Sequence, residues 1–271
     1  MSYKTLCTVA APDGADALES AIDCAAAWEA HLDVVCVSAV QFDPPVMVMP
    51  DLPVTGGSLI EEAVEDLAEA EERVRRRLSS EGFGWSVSGR AEPAVGAARS
   101  VTDAARFADL AILPPREESA QVPFHTILET MLYTSRVPIL TVPEGASPAP
   151  ATVCLAWDGS DVALAAARAA LPLLRGAGSV EIVTVDPDSA TDATARQLAV
   201  MLGRHGVAAD VAELPRRGQR VAEILVSRAA DREADLIVMG AYGTRRLREI
   251  LLGGVTRAML DSAPMPLLLA R

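Results

Sequence analysis

Residues 235–271 read DLIVMGAYGTRRLREILLGGVTRAMLDSAPMPLLLAR. An apolar run at 236–239 meets Gly240, Gly243 follows after two residues, and nine more separate it from the pair Gly253 and Gly254. A run this short and apolar throughout predicts a strand buried on both faces between helices, as in a parallel sheet. Glycines at its exit permit a sharp turn and let main-chain N–H groups approach a ligand with no side chain in the way. Beyond the second glycine turn, residues 255–263 carry helical spacing. The first N–H groups of such a helix point back at the loop, which favours an anion, commonly a phosphate.

Upstream of this stretch the pattern predicts strands at 152–157, 180–185 and 207–214, alternating with helices at 161–174, 193–205 and 220–230. Asp158-Gly159-Ser160 forms the first turn. The first half repeats the order, with strands at 5–10, 32–40, 83–88, 110–113 and 139–142 and helices at 15–30, 58–80, 95–107 and 127–133. Residues repeat too: ADLAIL at 108–113 parallels ADLIVM at 234–239, and RVPILTV at 136–142 parallels PMPLLLA at 264–270. This predicts a tandem duplication of one α/β unit, as domains 1–146 and 151–271 joined by the small, proline-bearing stretch 144–150. A length of 271 residues suits two domains rather than one. The first copy lacks the glycine loop: Pro114, Pro115 and Arg116 follow its strand, and the spacer leads to His125 and Thr126. Residues 41–57, with an apolar Val46-Met49 centre, read as a long loop covering a neighbouring surface or serving as a ligand lid.

Gly240, Gly243 and Gly253 resemble the G-x2-G-x9-G-(S/T) pattern of nucleotide-binding universal stress proteins, with Gly254 where the hydroxyl residue stands. The resemblance implies two tandem doubly wound parallel five-stranded sheets, Rossmann-like and similar to the adenine nucleotide alpha hydrolase fold. It further implies packing as a pseudo-two-fold dimer, with the strands at 139–142 and 267–270 paired edge to edge; whether the chain also forms a homodimer stays open. The implied ligand is ATP or another adenine nucleotide, with Mg2+ left open. In an open parallel sheet it sits beyond the strand C-termini. By the resemblance, Asp158 and the Val185 backbone engage adenine and ribose. Gly240, Gly243, Gly253, Gly254, Val255 and Thr256 line the phosphates, and Ala156, Trp157 and Met239 complete the strand ends. A hydrogen bond to a charged group lost at Gly254 costs about 1.5–3 kcal/mol, about ten- to a hundredfold in affinity. Thr256 is the candidate substitute hydroxyl.

The residues alone leave alternatives. Asp158 is equally a turn or helix-capping residue. Trp157 is a core or lid side chain as readily as a base contact. Arg245, Arg246 and Arg248 either approach a phosphate or pair at the surface with Glu249, and the run Arg73, Arg75, Arg76 and Arg77 reads as a solvated helix face rather than a nucleic-acid patch.

Formal net charge is −13. Residues 1–147 hold 10 basic against 23 acidic side chains, and residues 148–271 hold 14 of each. That asymmetry suits one anionic ligand in the second half, although a solvated acidic face on the first half accounts for it as well. A polyanion such as DNA is disfavoured. No apolar run approaches the ~20 residues of a membrane span, and MSYKTLCTVA lacks a signal-peptide core, so a cytoplasmic protein is expected. Cys7, Cys24, Cys36 and Cys154 lack CxxC spacing, and His31, His125 and His205 lie far apart, so neither disulfides nor a metal site is expected. GxxxxGK(S/T), HExxH and GxSxG are absent. The expectation is therefore a nucleotide-binding stress or signalling protein, not an enzyme; the alternative is a nucleotide-independent module that binds a protein partner.

Overall fold

The computed structural model describes residues 2–14, 16–40, 56–115, 122–143, 145–243 and 254–271. The chain divides into two compact units, one of Lys4–Val137 and one of Met1–Tyr3 with Pro138–Arg271. Both are α/β. The loop expected at 41–57, including Met47, lies almost wholly outside the described residues, as does Arg116.

In the first unit, β1 (Thr5–Ala10) pairs in parallel with β2 (His31–Val40) on one side and β4 (Leu110–Leu113) on the other, and β2 pairs with β3 (Trp85–Pro93). Helices α1 (Leu18–Trp28), α2 (Gly56–Leu78), α3 (Ala94–Ala105) and α4 (Phe124–Thr130) connect or follow these strands. β4 is buried at all four positions, as its apolar sequence requires of a strand covered on both faces. β3 runs past the expected residue 88 because β2 offers it an equally long template, in register from Leu32↔Trp85 to Val40↔Pro93. α4 ends in a π-helical turn, Met131–Ser135, closed by Arg136 in the left-handed region.

The arginine run of α2 is only partly a solvated face. Arg73 donates to the Ala11 and Pro12 carbonyls, Arg75 reaches Glu71 and the Val87 carbonyl, and Arg77 bridges Glu19 and Glu81. Arg76 alone stays largely in solvent, 3.9 Å from Glu72.

In the second unit the parallel order is β10 (Leu267–Ala270), β9 (Leu236–Gly240), β6 (Thr152–Ala156), β7 (Ser179–Val185), β8 (Asp210–Leu214). Its helices are α5 (Asp161–Ala169), α6 (Leu171–Leu174), α7 (Ser189–Arg204), α8 (Val221–Asp231) and α9 (Gly254–Ser262). β5 (Ile139–Thr141) belongs to this unit, although the sequence repeat assigns it to the first. It pairs antiparallel with β10, Leu140 opposite Leu268, which is the strand pairing anticipated from the sequence. The helix expected at 161–174 is two pieces, because Pro172 supplies no backbone N–H to continue the first. α7 begins four residues early, where the Asp188 side chain caps it. Among the described residues no helix is long and apolar enough to cross a membrane, and all four cysteines are free and buried.

Candidate functional site

β6 lies between β7 and β9, so the chain winds outward in both directions from it, and the crevice beyond its C-terminal end is where such sheets hold ligands. A cavity of about 460 Å³ opens there. Ala156, Trp157 and Asp158 reach it from the end of β6 and Val185 from the end of β7. Met239, Gly240 and Gly243 arrive from β9 and its exit, and Gly254, Val255 and Thr256 from the first turn of α9. Ten of the residues singled out in the sequence thus border one space. Gly253 lies outside the described residues, as do Arg245, Arg246 and Arg248.

The glycines differ in what surrounds them. A Cβ on Gly240 would stand 2.6 Å from the Ala163 nitrogen and 2.7 Å from the Val162 carbonyl carbon; one on Gly243 would meet a Val162 methyl at 2.5 Å. Both therefore let the start of α5 lie against the end of β9. Of the three described, only Gly254 faces open space, with nothing within 4 Å of an added Cβ. α5 is held in place by its cap: Ser160 Oγ accepts from Ala163 N at 3.3 Å, while Asp158 Oδ1 accepts from Ser160 N at 3.0 Å and from its hydroxyl. Asp158 is thus a turn residue as well as a wall of the cavity. Trp157 is a core side chain, 7% exposed, whose indole N–H donates to Thr194 Oγ1 at 3.1 Å.

Between the β9 glycines the chain passes through Tyr242, a buried non-glycine in the left-handed region at φ 56°. Its backbone is held at both ends. Tyr242 N donates to Thr256 Oγ1 at 3.4 Å, and Arg271 donates to the Tyr242 carbonyl at 3.1 Å. The Thr256 hydroxyl, the candidate replacement for the one missing at 254, is engaged by this loop.

Residues 151–271 match the universal stress protein family. They form a universal stress protein domain, and its cavity is the one just described. Over 98% of both chains, the whole molecule resembles a universal stress protein from Archaeoglobus fulgidus, at TM-score 0.72 and 15% identity. It likewise resembles a protein of unknown function from Pseudomonas aeruginosa, over 99% of this chain and 92% of that one, at TM-score 0.60 and 14% identity. These likenesses establish the fold over both units.

The cavity of the universal stress protein domain also has residues that the glycine motif does not reach. Val162, Val183, Val221 and Leu225 give it an apolar wall, and Asp186, Asp188 and Tyr242 join its rim. The two acids stand in DPDS at 186–189, a run of turn and capping residues directly after a strand, which signals a turn but not a cavity. Asp186 adopts φ 45° and its Oδ1 accepts from Arg216 N at 2.8 Å. Asp188 Oδ1 accepts from Thr191 N at 2.7 Å, and this bond, with a second from the Thr191 side chain, holds its carboxyl below the usual aspartate value. Among the described residues no group of three or more His, Cys, Asp or Glu is arranged to hold a metal ion.

Proposed function

We propose that residues 151–271 bind ATP or a related adenine nucleotide at the β6–β7–β9 crevice, as the sensing element of a cytoplasmic protein in stress response or signalling. In this reading residues 1–146 are a second, degenerate copy of the same domain. The observation that carries the proposal is the convergence of ten residues singled out in the sequence, from four separate segments, on one cavity. Its volume of about 460 Å³ falls inside the roughly 300–1,000 Å³ of small-molecule sites. The residues suit the parts of such a ligand: Val183, Val221 and Leu225 offer apolar contact to a base, and Asp158 and Asp186 offer acceptors to ribose hydroxyls or an exocyclic amine. The first N–H groups of α9 offer donors to a phosphate. The chain is proposed as a binding protein rather than an enzyme, since no constellation of nucleophile and base accompanies the cavity among the described residues.

The test is to denature the purified protein, identify released nucleotide, and titrate the stripped, refolded chain with ATP by calorimetry. About one site per chain is expected. Gly254→Glu places a carboxylate in open space without a packing clash and lowers affinity at least tenfold. No released nucleotide and no heat, with the fold intact by circular dichroism, would favour the rival reading of a nucleotide-independent interaction module.

A further inference from the structure

Resting on that reading, we infer that Thr194 is a positioning residue for the nucleoside part of the ligand, acting through Trp157. Trp157 and Asp158 border the cavity from the end of β6, and Asp188 and Thr191 border it beside the start of α7; Thr194 does not border it. It joins the two groups from behind. The Thr194 hydroxyl spends its one proton on the Thr191 carbonyl, at 2.9 Å, and accepts from the Trp157 indole N–H at 3.1 Å. The Thr191 main chain is itself anchored, its N–H donating to Asp188 Oδ1 at 2.7 Å. The acceptor of the indole therefore stands on a fixed helix turn.

Trp157 is held at two points. Its main-chain N–H donates to the Val183 carbonyl at 2.9 Å, which fixes the residue at the strand end, and the bond to Thr194 fixes which way the ring faces. A buried indole N–H takes a partner where it finds one. With the Thr194 acceptor removed, the ring turns toward the cavity, where solvent accepts, and enters the space that a nucleoside needs. The turn that carries Asp158 rests on the same threonines: a Cβ on Gly159, at φ 78°, would stand 3.5 Å from Thr194 Oγ1 and 3.7 Å from Thr191 Oγ1. One hydroxyl thus orients both the ring in the cavity wall and the turn bearing the carboxylate.

Thr194→Val keeps the shape of the side chain and removes the acceptor, whereas Thr194→Ser keeps the acceptor. The stripped full-length chains are titrated by calorimetry with adenosine and with ATP. They are also labelled with 5-fluorotryptophan, so that the three tryptophans give separate fluorine resonances, and the Trp157 line is assigned by its loss in Trp157→Phe. In Thr194→Val the affinity for both ligands is expected to fall by the same factor, about five- to tenfold for an indole N–H left without its acceptor. The Trp157 line moves in the free chain and returns toward its wild-type position on saturation. Thr194→Ser binds both ligands as the wild type does. In Trp157→Phe, which has no N–H to lose, adding Thr194→Val costs little further affinity. Wild-type affinity in Thr194→Val, with the Trp157 line displaced, makes the bond merely structural and overturns the inference. An equal loss with and without the indole overturns it too, as does a loss confined to ATP, which lies at the phosphates. No heat with either ligand in the wild-type chain overturns nucleotide binding itself, and the role of Thr194 with it.

Discussion

The turn after β1 and the turn after β6 both leave a central strand and enter a helix, yet they are filled differently. After β1, the Arg73 guanidinium comes from α2 and donates to the Ala11 and Pro12 carbonyls at 2.6 and 2.8 Å. Asp16 closes the same turn, accepting from Ala11 N and Leu18 N. After β6, Asp158 folds onto Ser160, Trp157 packs on Thr194, and the space beyond is the cavity. In the second unit, Arg228 of α8 grips Glu181 of β7 through two bonds of 2.6 and 2.7 Å. A guanidinium can satisfy strand-end carbonyls or a buried carboxylate. In the first role it ties a helix to the turn after a strand, and in the second it braces a strand against a helix.

The largest effect should come from breaking the second arrangement. Arg228→Met leaves Glu181, 5% exposed, without its main partner; Arg232 stays 3.7 Å away. A loss of about 3 kcal/mol is expected, because the unpaired charge remains buried. The double variant Glu181→Met/Arg228→Met should recover most of it in urea unfolding. If the single variant unfolds like the wild type, the pair is not what braces β7 against α8. Next in size is Gly240→Ala, about 2 kcal/mol from overpacking against backbone atoms of α5. Gly254→Ala, by contrast, should stay within about 0.5 kcal/mol of wild type. Equal losses at both glycines would erase the distinction between a packing glycine and an open one.

That distinction marks how far the sequence could be read. Leu236–Gly240 was legible because so short an apolar run, ending in glycine, suits a buried parallel strand and little else, and the order of strands then fixed which ends share a crevice. Ala156 and Val185 followed from that order as strand ends, and Gly254 from the glycine spacing. What Gly240 packs against was hidden, since Val162 and Ala163 stand nearly eighty positions away and nothing local to either segment reports the approach. Arg73 was misread for the same reason: within α2 it belongs to a charged run, and its partners lie 61 and 62 residues earlier. Asp186 and Asp188 were hidden for a different one. A strand exit rich in Asp and Pro reads as a turn whether or not a cavity lies beside it.

Removing the first unit's guanidinium tests the comparison from its other side. Arg73→Met should cost about 1 kcal/mol, because the freed Ala11 and Pro12 carbonyls regain part of their loss from water. If the variant then bound ATP at a second site per chain in calorimetry, the arginine alone would account for the difference between the two crevices. One site is the expected count, since the first unit also lacks the glycine loop.

The smallest effect, and the one with opposite signs in the two units, is pH dependence. Asp188 is held below its ordinary value of 3.8 by the Thr191 bonds. Its contribution is complete above that value and is lost as the pH falls through the lower folded-state value, because the folded state then resists a proton that the unfolded chain accepts. Asp16 runs the other way. Burial raises its carboxyl above 3.8, more than its bonds to Leu18 N and Ala11 N and the nearby Arg73 lower it. The ionised form therefore costs stability at neutral pH, and acidification through the folded-state value relieves that cost. Thermal midpoints between pH 7 and 3 should decline less steeply in Asp188→Asn than in the wild type, and more steeply in Asp16→Asn. Slopes that shift in the same direction in both variants would mean that the two aspartates, one after β1 and the other after β7, are held by the same balance of forces.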